Sequence, residues 1–218
     1  NFLIKNQLSN VINTPFKDSK MLEKMQPYLD LCEKLGKIQF SVSEGATTEL
    51  NLECYGHIDE TRPLMLSFIK GFLSRVVDLK INFINATNIA EERGIAIIQT
   101  HKNESMKYKN LIRSFVKSSD GVTEVSGVAF DDNHCRIVNI LGFEIDFKPQ
   151  GNILFIQNQD IPGVVGKVGT ILGDLNINIG EYILSRKKDQ NLACSIIRID
   201  GNLEPDDIDI LKSQSEII

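Results

Sequence analysis

The strongest constraint on the fold is the alternation of short strands and helices in the last third of the chain. Two-residue alternation of apolar residues predicts strands, and three- and four-residue steps predict helices. The predicted strands are Ile153–Gln157, Ile177–Ser185, Leu192–Ile199 and a short one over Ser215–Ile218, and the predicted helices are Pro162–Leu175 and Pro205–Lys212. This βαββαβ order is that of the ferredoxin-like split-βαβ fold. About 66 residues form a marginal domain alone, so we expect this one to gain stability by association.

The preceding part of the chain mixes helices and strands without a repeat. Predicted helices are Ser19–Leu35, which Gly36 ends, Arg62–Val76, and Ala86–Arg93, which Gly94 ends. Predicted strands are Ile38–Val42, Glu49–Tyr55, Ile95–Thr100, Asn110–Val116, Val122–Phe130 and Arg136–Phe147, the last broken by a turn at Leu141-Gly142. The fold class is therefore α+β, a mixed α/β domain followed by the ferredoxin-like one.

A polar segment containing Pro149 and Gly151 suggests a linker over Lys148–Asn152. It separates residues 37–150, the mixed domain, from residues 151–218, the ferredoxin-like domain, and residues 1–36 precede the mixed domain. The sequence starts at Asn1 without an initiator Met, which suggests a piece of a longer protein.

Charge and hydropathy exclude several classes of function. With 24 Lys and Arg against 29 Asp and Glu the formal charge is −5, so the molecule as a whole does not attract nucleic acid. The longest apolar runs, such as Ile95–Ile98, are far shorter than the roughly 20 residues that span a bilayer. We expect neither nucleic acid nor membrane as a partner, and no signal peptide.

The cysteines suggest reduced thiols rather than a disulfide framework. Four cysteines are scattered without a C-x-x-C pair, which fits a cytoplasmic protein. The metal-like pairs are Cys54 with His57 and His134 with Cys135. Because a structural zinc site needs four ligands with paired spacing, we expect no bound metal.

A stripe of glycines marks the first helix of the ferredoxin-like domain. The run G-V-V-G-K-V-G lacks the spacing of a dinucleotide loop, and Gly166-Lys167 is followed by Val168, where a Walker loop needs Ser or Thr. Glycine costs a helix up to about 1 kcal/mol relative to alanine, so a stripe of them suggests close packing against a sheet or a second helix. Its members are Gly163, Gly166, Gly169 and Gly173.

The loop before this helix has the chemistry to bind an amino acid. Free N–H groups at a helix N-terminus attract a carboxylate, and Asp160 beside them can hold an ammonium. Asn158 and the later Asn178 add amide donors and acceptors. From the pattern alone a purely structural role is equally open, in which Asp160 caps the helix and Asn178 starts a strand.

The chain resembles the C-terminal regulatory region of long-form D-3-phosphoglycerate dehydrogenase over essentially its whole length. Residues 153–200 resemble an ACT domain, a small module that binds amino acids. Upstream, the resemblance is carried by residues 10–15 (NVINTP), 27–36 (PYLDLCEKLG), 84–86 (INA) and 90–95 (AEERGI). In that family an allosteric substrate-binding domain lies between the catalytic core and the ACT domain. The resemblance implies that residues 37–150 are this domain and that residues 1–36 are the closing segment of the catalytic core with a linker helix. Ile161 departs from the family, which commonly has Arg before the Pro.

The resemblance implies an L-serine site formed by Asn158, Asp160 and Asn178. In a split βαβ unit a helix of about 12 residues, roughly 18 Å long, separates Asp160 from Asn178, so one serine cannot touch both within one chain. A two-fold pairing with the first helices antiparallel would bring Asp160 of one chain to Asn178 of the other. We therefore expect a homo-oligomer that pairs through the ACT domain and places serine at its interface.

A second site is suggested by three cations, Arg136, Lys148 and Arg198. If they meet across the domain junction they suit a phosphate. The resemblance implies a phosphorylated substrate, 3-phosphoglycerate or 3-phosphohydroxypyruvate, at matching cationic positions. Solvated surface charge is the alternative.

The activity that the resemblance implies belongs to a parent enzyme. That parent oxidises 3-phosphoglycerate with NAD at the first step of serine synthesis, whereas this chain has no dinucleotide fingerprint. Its histidines, His57, His101 and His134, match no catalytic motif, so we assign no catalytic residue and expect no cofactor in this part.

Two other functions stay open. The β portion of an iron–sulfur L-serine dehydratase shares both regulatory domains, but its Ser-Ser-Ser-His signature and cysteine ligands are missing from this sequence. A free-standing amino-acid sensor is opposed by residues 10–36, which resemble the closing segment of a dehydrogenase core.

Overall fold

The structure is a computed structural model that describes residues 3–4, 7–8, 19–75, 81–83, 85–104, 106–130 and 134–218. The chain divides into two compact units, Asn1–Gly142 and Phe143–Ile218. Parts of the sequence argument, namely residues 10–15, Ile84 and the end of the second predicted helix at Val76, lie outside the described residues. The predicted domain limits and linker stay predictions.

The first unit packs helices against one face of a mixed sheet. Its strands follow the order β4-β3-β5-β6-β7, with β3 parallel to β4 and the other neighbours antiparallel. A short antiparallel pair, β1 (Leu3–Ile4) and β2 (Gln7–Leu8), stands apart. The elements of the sheet and its helices are α1 (Ser19–Val42), β3 (Thr47–Tyr55), α2 (Arg62–Leu73), α3 (Ala86–Glu92), β4 (Ala96–Lys102), β5 (Leu111–Ser118), β6 (Gly121–Ala129) and β7 (Cys135–Ile140).

The strand predicted at Ile38–Val42 is wrong, because α1 continues through it to Val42. Gly36 does not end the helix. A Cβ built there would clash with the backbone of α2 at Phe68 O and would lie 2.6 Å from Phe72 N. Gly36 is therefore a close-packing glycine that lets α1 cross α2.

Beyond Gly36, α1 is fixed to the sheet by a buried glutamine. The Gln39 side chain has no exposed surface, and its Nε2 donates to Ser114 O at 2.8 Å. Its Oε1 accepts from Thr123 Oγ1 at 2.8 Å. Because both ends of the amide are satisfied, burial of this polar side chain is not penalised.

The turn predicted at Leu141-Gly142 and the helix end predicted at Gly94 are confirmed, and both use residues with a left-handed backbone. Leu141 and Gly142 have φ of 51° and 79° where β7 ends, the conformation that a two-residue type I′ link requires. Gly94 has φ of 72° after α3, and its N–H bonds to Glu91 O as in a helix-ending motif.

The second unit has the predicted α+β topology. Its strands are β8 (Phe143–Phe147), β9 (Asn152–Gln159), β10 (Asn178–Lys187) and β11 (Leu192–Asp200), with helices α4 (Val164–Asp174) and α5 (Pro205–Lys212). The antiparallel order β10-β11-β9 places the first and third strands of the βαββαβ pattern side by side. The predicted terminal strand is reduced to one bridge, Asn158 to Ile217, on the free edge of β9.

A small apolar core joins α4 and α5 to this sheet. Its buried members are Ile156, Val164, Val168, Leu172, Ile197, Ile199 and Leu211. Val164, Val168 and Leu172 recur at four-residue steps, so one stripe of α4 faces the core. None of the helices in the described part of the chain is both long and apolar enough to cross a membrane.

The glycine stripe lies on the opposite side of α4 from the core. A Cβ built at any of its four positions would have no described atom within 4 Å. Of the two partners predicted for the stripe, a sheet or a second helix, the described part of this chain supplies neither at these positions.

Candidate functional site

The loop from β9 to α4 leaves the start of the helix open. Gly163 occupies the N-cap position with φ of 95°, a left-handed conformation that residues with a side chain rarely adopt. No described side chain caps α4. The first-turn N–H groups of an uncapped helix carry partial positive charge and bind anions such as a carboxylate.

Asn158 provides an unused acceptor at the base of this loop. Its side chain lies on the face of the sheet that α4 covers, and only 3% of the residue is exposed. Its Nδ2 donates to Gln159 O at 2.6 Å, whereas its Oδ1 is buried and has no partner among the described atoms. A buried polar atom without a partner costs about 1–3 kcal/mol, so this oxygen calls for an explanation.

Asp160 holds the negative charge of the loop and is paired with Arg186. Arg186 Nε donates to both carboxylate oxygens, at 2.9 Å to Oδ1 and 2.7 Å to Oδ2. Only 14% of the Asp160 side chain is exposed, against 49% of the Arg186 side chain. The carboxylate that the sequence predicts to bind an ammonium therefore already contacts a cation.

Arg186 was not among the residues predicted from the sequence. Its turn, residues 186–191, reads as a charged loop, but β10 continues through it to Lys187. The register then places Arg186, Ala193 and Asn158 in one row across the three strands. An alternation of apolar and polar residues beyond Ser185 would have predicted this extension of the strand, but residues 186–191 are all charged or polar and show no such alternation.

Asn178 lies at the other end of the same sheet. It pairs with Asp200 across β10 and β11, and its Nδ2 donates to Asp200 Oδ2 at 2.8 Å. Asp160 N instead donates to Asn191 O, next to the opposite end of β11. The length of β11, about 27 Å at 3.4 Å per residue, therefore separates the two predicted serine contacts within one chain.

The three predicted phosphate contacts are divided between the units. Arg136 is on β7 of the first unit, while Lys148, just after β8, and Arg198 on β11 belong to the second. Arg198 Nη1 lies 3.5 Å from Glu181 Oε2, so part of its charge is balanced locally. The phosphate site stays a prediction.

The described part of the chain contains no cluster of three or more His, Cys, Asp or Glu side chains placed to hold a metal ion. Of the two metal-like pairs, Cys54 is fully buried in β3, and burial raises the pKa of its thiol to about 12. All four cysteines are buried and free. Metal ligation by Cys54 would require a thiolate that this environment disfavours.

Comparison with known proteins identifies the class of the first unit and then its family. Residues 24–141 match the family described as "D-3-phosphoglycerate dehydrogenase intervening domain". This match covers the α+β unit built on β3 to β7, and more than half of the chain. The chain belongs to this D-3-phosphoglycerate dehydrogenase family, and the resemblance predicted from the sequence is confirmed.

Three relatives, each named D-3-phosphoglycerate dehydrogenase, extend the similarity over both units. The protein of Synechocystis sp. is 30% identical over 197 residues, 89% of this chain and 36% of the relative. That of Bacillus subtilis is 31% identical over 211 residues, 96% of this chain and 40% of the relative. That of Methanocaldococcus jannaschii is 31% identical over 205 residues, which are 93% of this chain and 39% of the relative. The chain thus spans well under half the length of these relatives.

Proposed function

We propose that this chain is the regulatory part of an NAD-dependent D-3-phosphoglycerate dehydrogenase of the cytoplasm, and that its second unit is an ACT-type module that binds L-serine. The buried, unpartnered Oδ1 of Asn158 carries the proposal, because a ligand that donates a hydrogen bond there would remove its cost. The ammonium and the hydroxyl of serine are both donors.

The surroundings of Asn158 fit the remaining groups of an amino acid. Asp160, two residues further on, supplies a carboxylate for the ammonium. The uncapped N-terminus of α4 supplies N–H groups for the ligand's carboxylate. One loop thus offers complementary charge to both ends of a zwitterion.

A pair of chains would complete the site with Asn178. Asp160 and Asn178 are at opposite ends of the unit, so antiparallel pairing along α4 brings each to its counterpart in the other chain. The glycine stripe has no neighbour in this chain, and Ile161 and Val165 beside it are 41% and 46% exposed. Small residues flanked by exposed apolar ones are suited to close contact between helices.

Inhibition would follow from a shift between arrangements of the parent enzyme. Serine can change activity only if it binds one arrangement more tightly than another. The unit that senses serine and the unit that matches the intervening-domain family are distinct, so ligand binding and its effect are assigned to different parts of the protein.

Calorimetric titration of the chain with L-serine tests the site. Asp160→Ala and Asn178→Ala are each expected to lower serine affinity more than tenfold, and Asn158→Leu to abolish binding while leaving thermal stability equal or higher. Asp189→Ala and Asn103→Ala, at exposed positions, are the matched controls. Unchanged affinity in both Asp160→Ala and Asn178→Ala would refute the assignment.

A mixing experiment tests whether the site is shared. Asp160→Ala and Asn178→Ala chains, each defective alone, form mixed dimers in which one of the two sites receives both intact residues. An equal mixture is expected to regain about a quarter of the wild-type serine sites. If the mixture binds no more serine than the separate variants, each site is built within one chain.

A further inference from the structure

The contact between Arg186 and Asp160 has a consequence for how a ligand enters the site. A carboxylate that is 14% exposed and bonded through both oxygens to one guanidinium presents little surface to an incoming ammonium. An ammonium and a guanidinium both donate charge-assisted hydrogen bonds to a carboxylate, so they compete for it.

We propose that Arg186 is a resident competitor that occupies Asp160 in the ligand-free chain and that the ammonium of the ligand must displace. The inference rests on the proposed function, in which Asp160 binds that ammonium. Arg186 is thereby a specificity-determining residue, because it sets the affinity threshold for ligands with a free ammonium.

The geometry allows the displacement. About half of the Arg186 side chain is exposed, so its guanidinium has solvent to move into, while Asp160 is held by its backbone bond to Asn191 O. Arg186 lies at the C-terminal end of β10, one residue before the strand ends. Arg186 is not a member of the apolar core, so its release from Asp160 breaks no contact within that core.

The energy of the pair sets the size of the effect. A partly exposed ion pair is a weak interaction. The apparent affinity of a ligand that must displace it equals the intrinsic affinity multiplied by the fraction of molecules in which Asp160 is free of Arg186. Removing the guanidinium is therefore expected to raise serine affinity by about two- to sixfold. If Arg186 instead binds the ligand directly, removing its guanidinium lowers serine affinity.

Titration of the full chain with L-serine tests the competition. Arg186→Gln is expected to bind L-serine about two- to sixfold more tightly than the wild type. Arg186→Lys keeps a cation at the position and is expected to stay closer to the wild type. Lys188→Gln removes one exposed positive charge two residues away and controls for the general change in charge.

A second ligand separates competition from a structural effect. Glycerate has a hydroxyl in place of the ammonium of serine, so it does not compete with Arg186 for the Asp160 carboxylate. We therefore expect the Arg186→Gln chain to bind glycerate with the same affinity as the wild type. An equal gain for glycerate and serine, or serine affinity in Arg186→Gln that is equal to or below wild type, overturns the inference while the serine site stands. If neither the wild type nor Arg186→Gln binds L-serine, the proposed function fails and this inference with it.

Discussion

A Cβ built on Gly36 of α1 would lie 3.0 Å from the carbonyl carbon of Gly71 on α2. On the other helix, a Cβ built on Gly71 would lie 2.8 Å from the carbonyl carbon of Glu33, one turn before Gly36 on α1. The two helices therefore touch through their backbones. Two glycines, 35 residues apart in sequence, set the distance between the helices that cover the first sheet.

Gly36→Ala and Gly71→Ala are expected to destabilise the first unit by about 1–3 kcal/mol each, because the added methyl group must push the backbones apart. Urea unfolding measures the change. Gly166→Ala on α4, where the Cβ meets no atom of this chain within 4 Å, is the matched control, and at concentrations where the chain is monomeric it is expected to stabilise the second unit by up to about 1 kcal/mol. Equal stability of Gly36→Ala and the wild type would contradict this account.

Gly166→Leu is expected to leave the second unit folded but to weaken self-association, because a large side chain on the stripe blocks close approach of a second α4. Sedimentation equilibrium measures the association constant. Asp209→Leu places the same side chain at an exposed position on α5 and is expected to leave association unchanged. Undiminished association of Gly166→Leu would remove the stripe from the proposed interface.

Gln39→Leu is expected to cost about 1–3 kcal/mol of unfolding free energy, since Ser114 O and Thr123 Oγ1 lose the partner that satisfies them. Gln26→Leu is the control on the same helix, because Gln26 Nε2 bonds Asp30 at an exposed position. We expect a change within about 0.5 kcal/mol for the control. Equal changes in unfolding free energy for the two substitutions would show that the buried hydrogen bonds of Gln39 do not contribute to stability.

Glu33 predicts an acid-dependent loss of stability. Burial opposes its ionisation, but hydrogen bonds from Lys37 and Lys70, each 2.7 Å long, outweigh burial and lower its pKa from 4.5. A carboxyl whose pKa is lower in the folded state stabilises the fold above its unfolded pKa, and this contribution is lost as pH falls through the folded value.

Glu33→Gln is therefore expected to be less stable than the wild type at pH 7, with the difference shrinking as pH falls below 4.5. Thermal unfolding across pH 3 to 7 measures the difference. Glu92→Gln changes an exposed carboxyl and serves as the control. A difference that is constant with pH would mean that the ion pairs do not affect stability.

The Cys54 thiol should react only when the first unit opens. Because burial raises its pKa to about 12, very little thiolate exists at pH 8, and the side chain has no exposed surface. Labelling with a disulfide reagent, followed by peptide mass analysis, is expected to modify Cys54 at the rate of unfolding. Rapid modification of Cys54 in the folded chain would contradict the burial.

Most elements of both units were predictable because their apolar residues keep a regular period. The error at residues 38–42 has a specific cause. Gln39 occupies a core position of α1, where the helical period calls for an apolar residue, and Ile38, Phe40 and Val42 imitate a strand. The partners that make a glutamine acceptable there are 75 and 84 residues away, beyond the reach of a local pattern.

The candidate site was predictable in part. Asn158 and Asp160 belong to one loop, so sequence proximity already places them together. Arg186 is brought to Asp160 by the register of three strands. That register depends on how β10 pairs with β11 and β11 with β9, which no local sequence pattern predicts. The missing partner of Asn158 Oδ1 is a property of the packed structure and has no counterpart in the sequence.

The distant partners of Gln39 also determine when the first unit can fold during synthesis. Thr123 leaves the ribosome 84 residues after Gln39. At about 5–20 residues per second, several seconds pass during which α1 has a polar side chain at the C-terminal end of its buried face. Until β6 arrives, hydrophobic collapse of α1 onto the sheet would bury an unsatisfied amide, so the glutamine delays commitment of the nascent chain until the strand that completes its bonding is present.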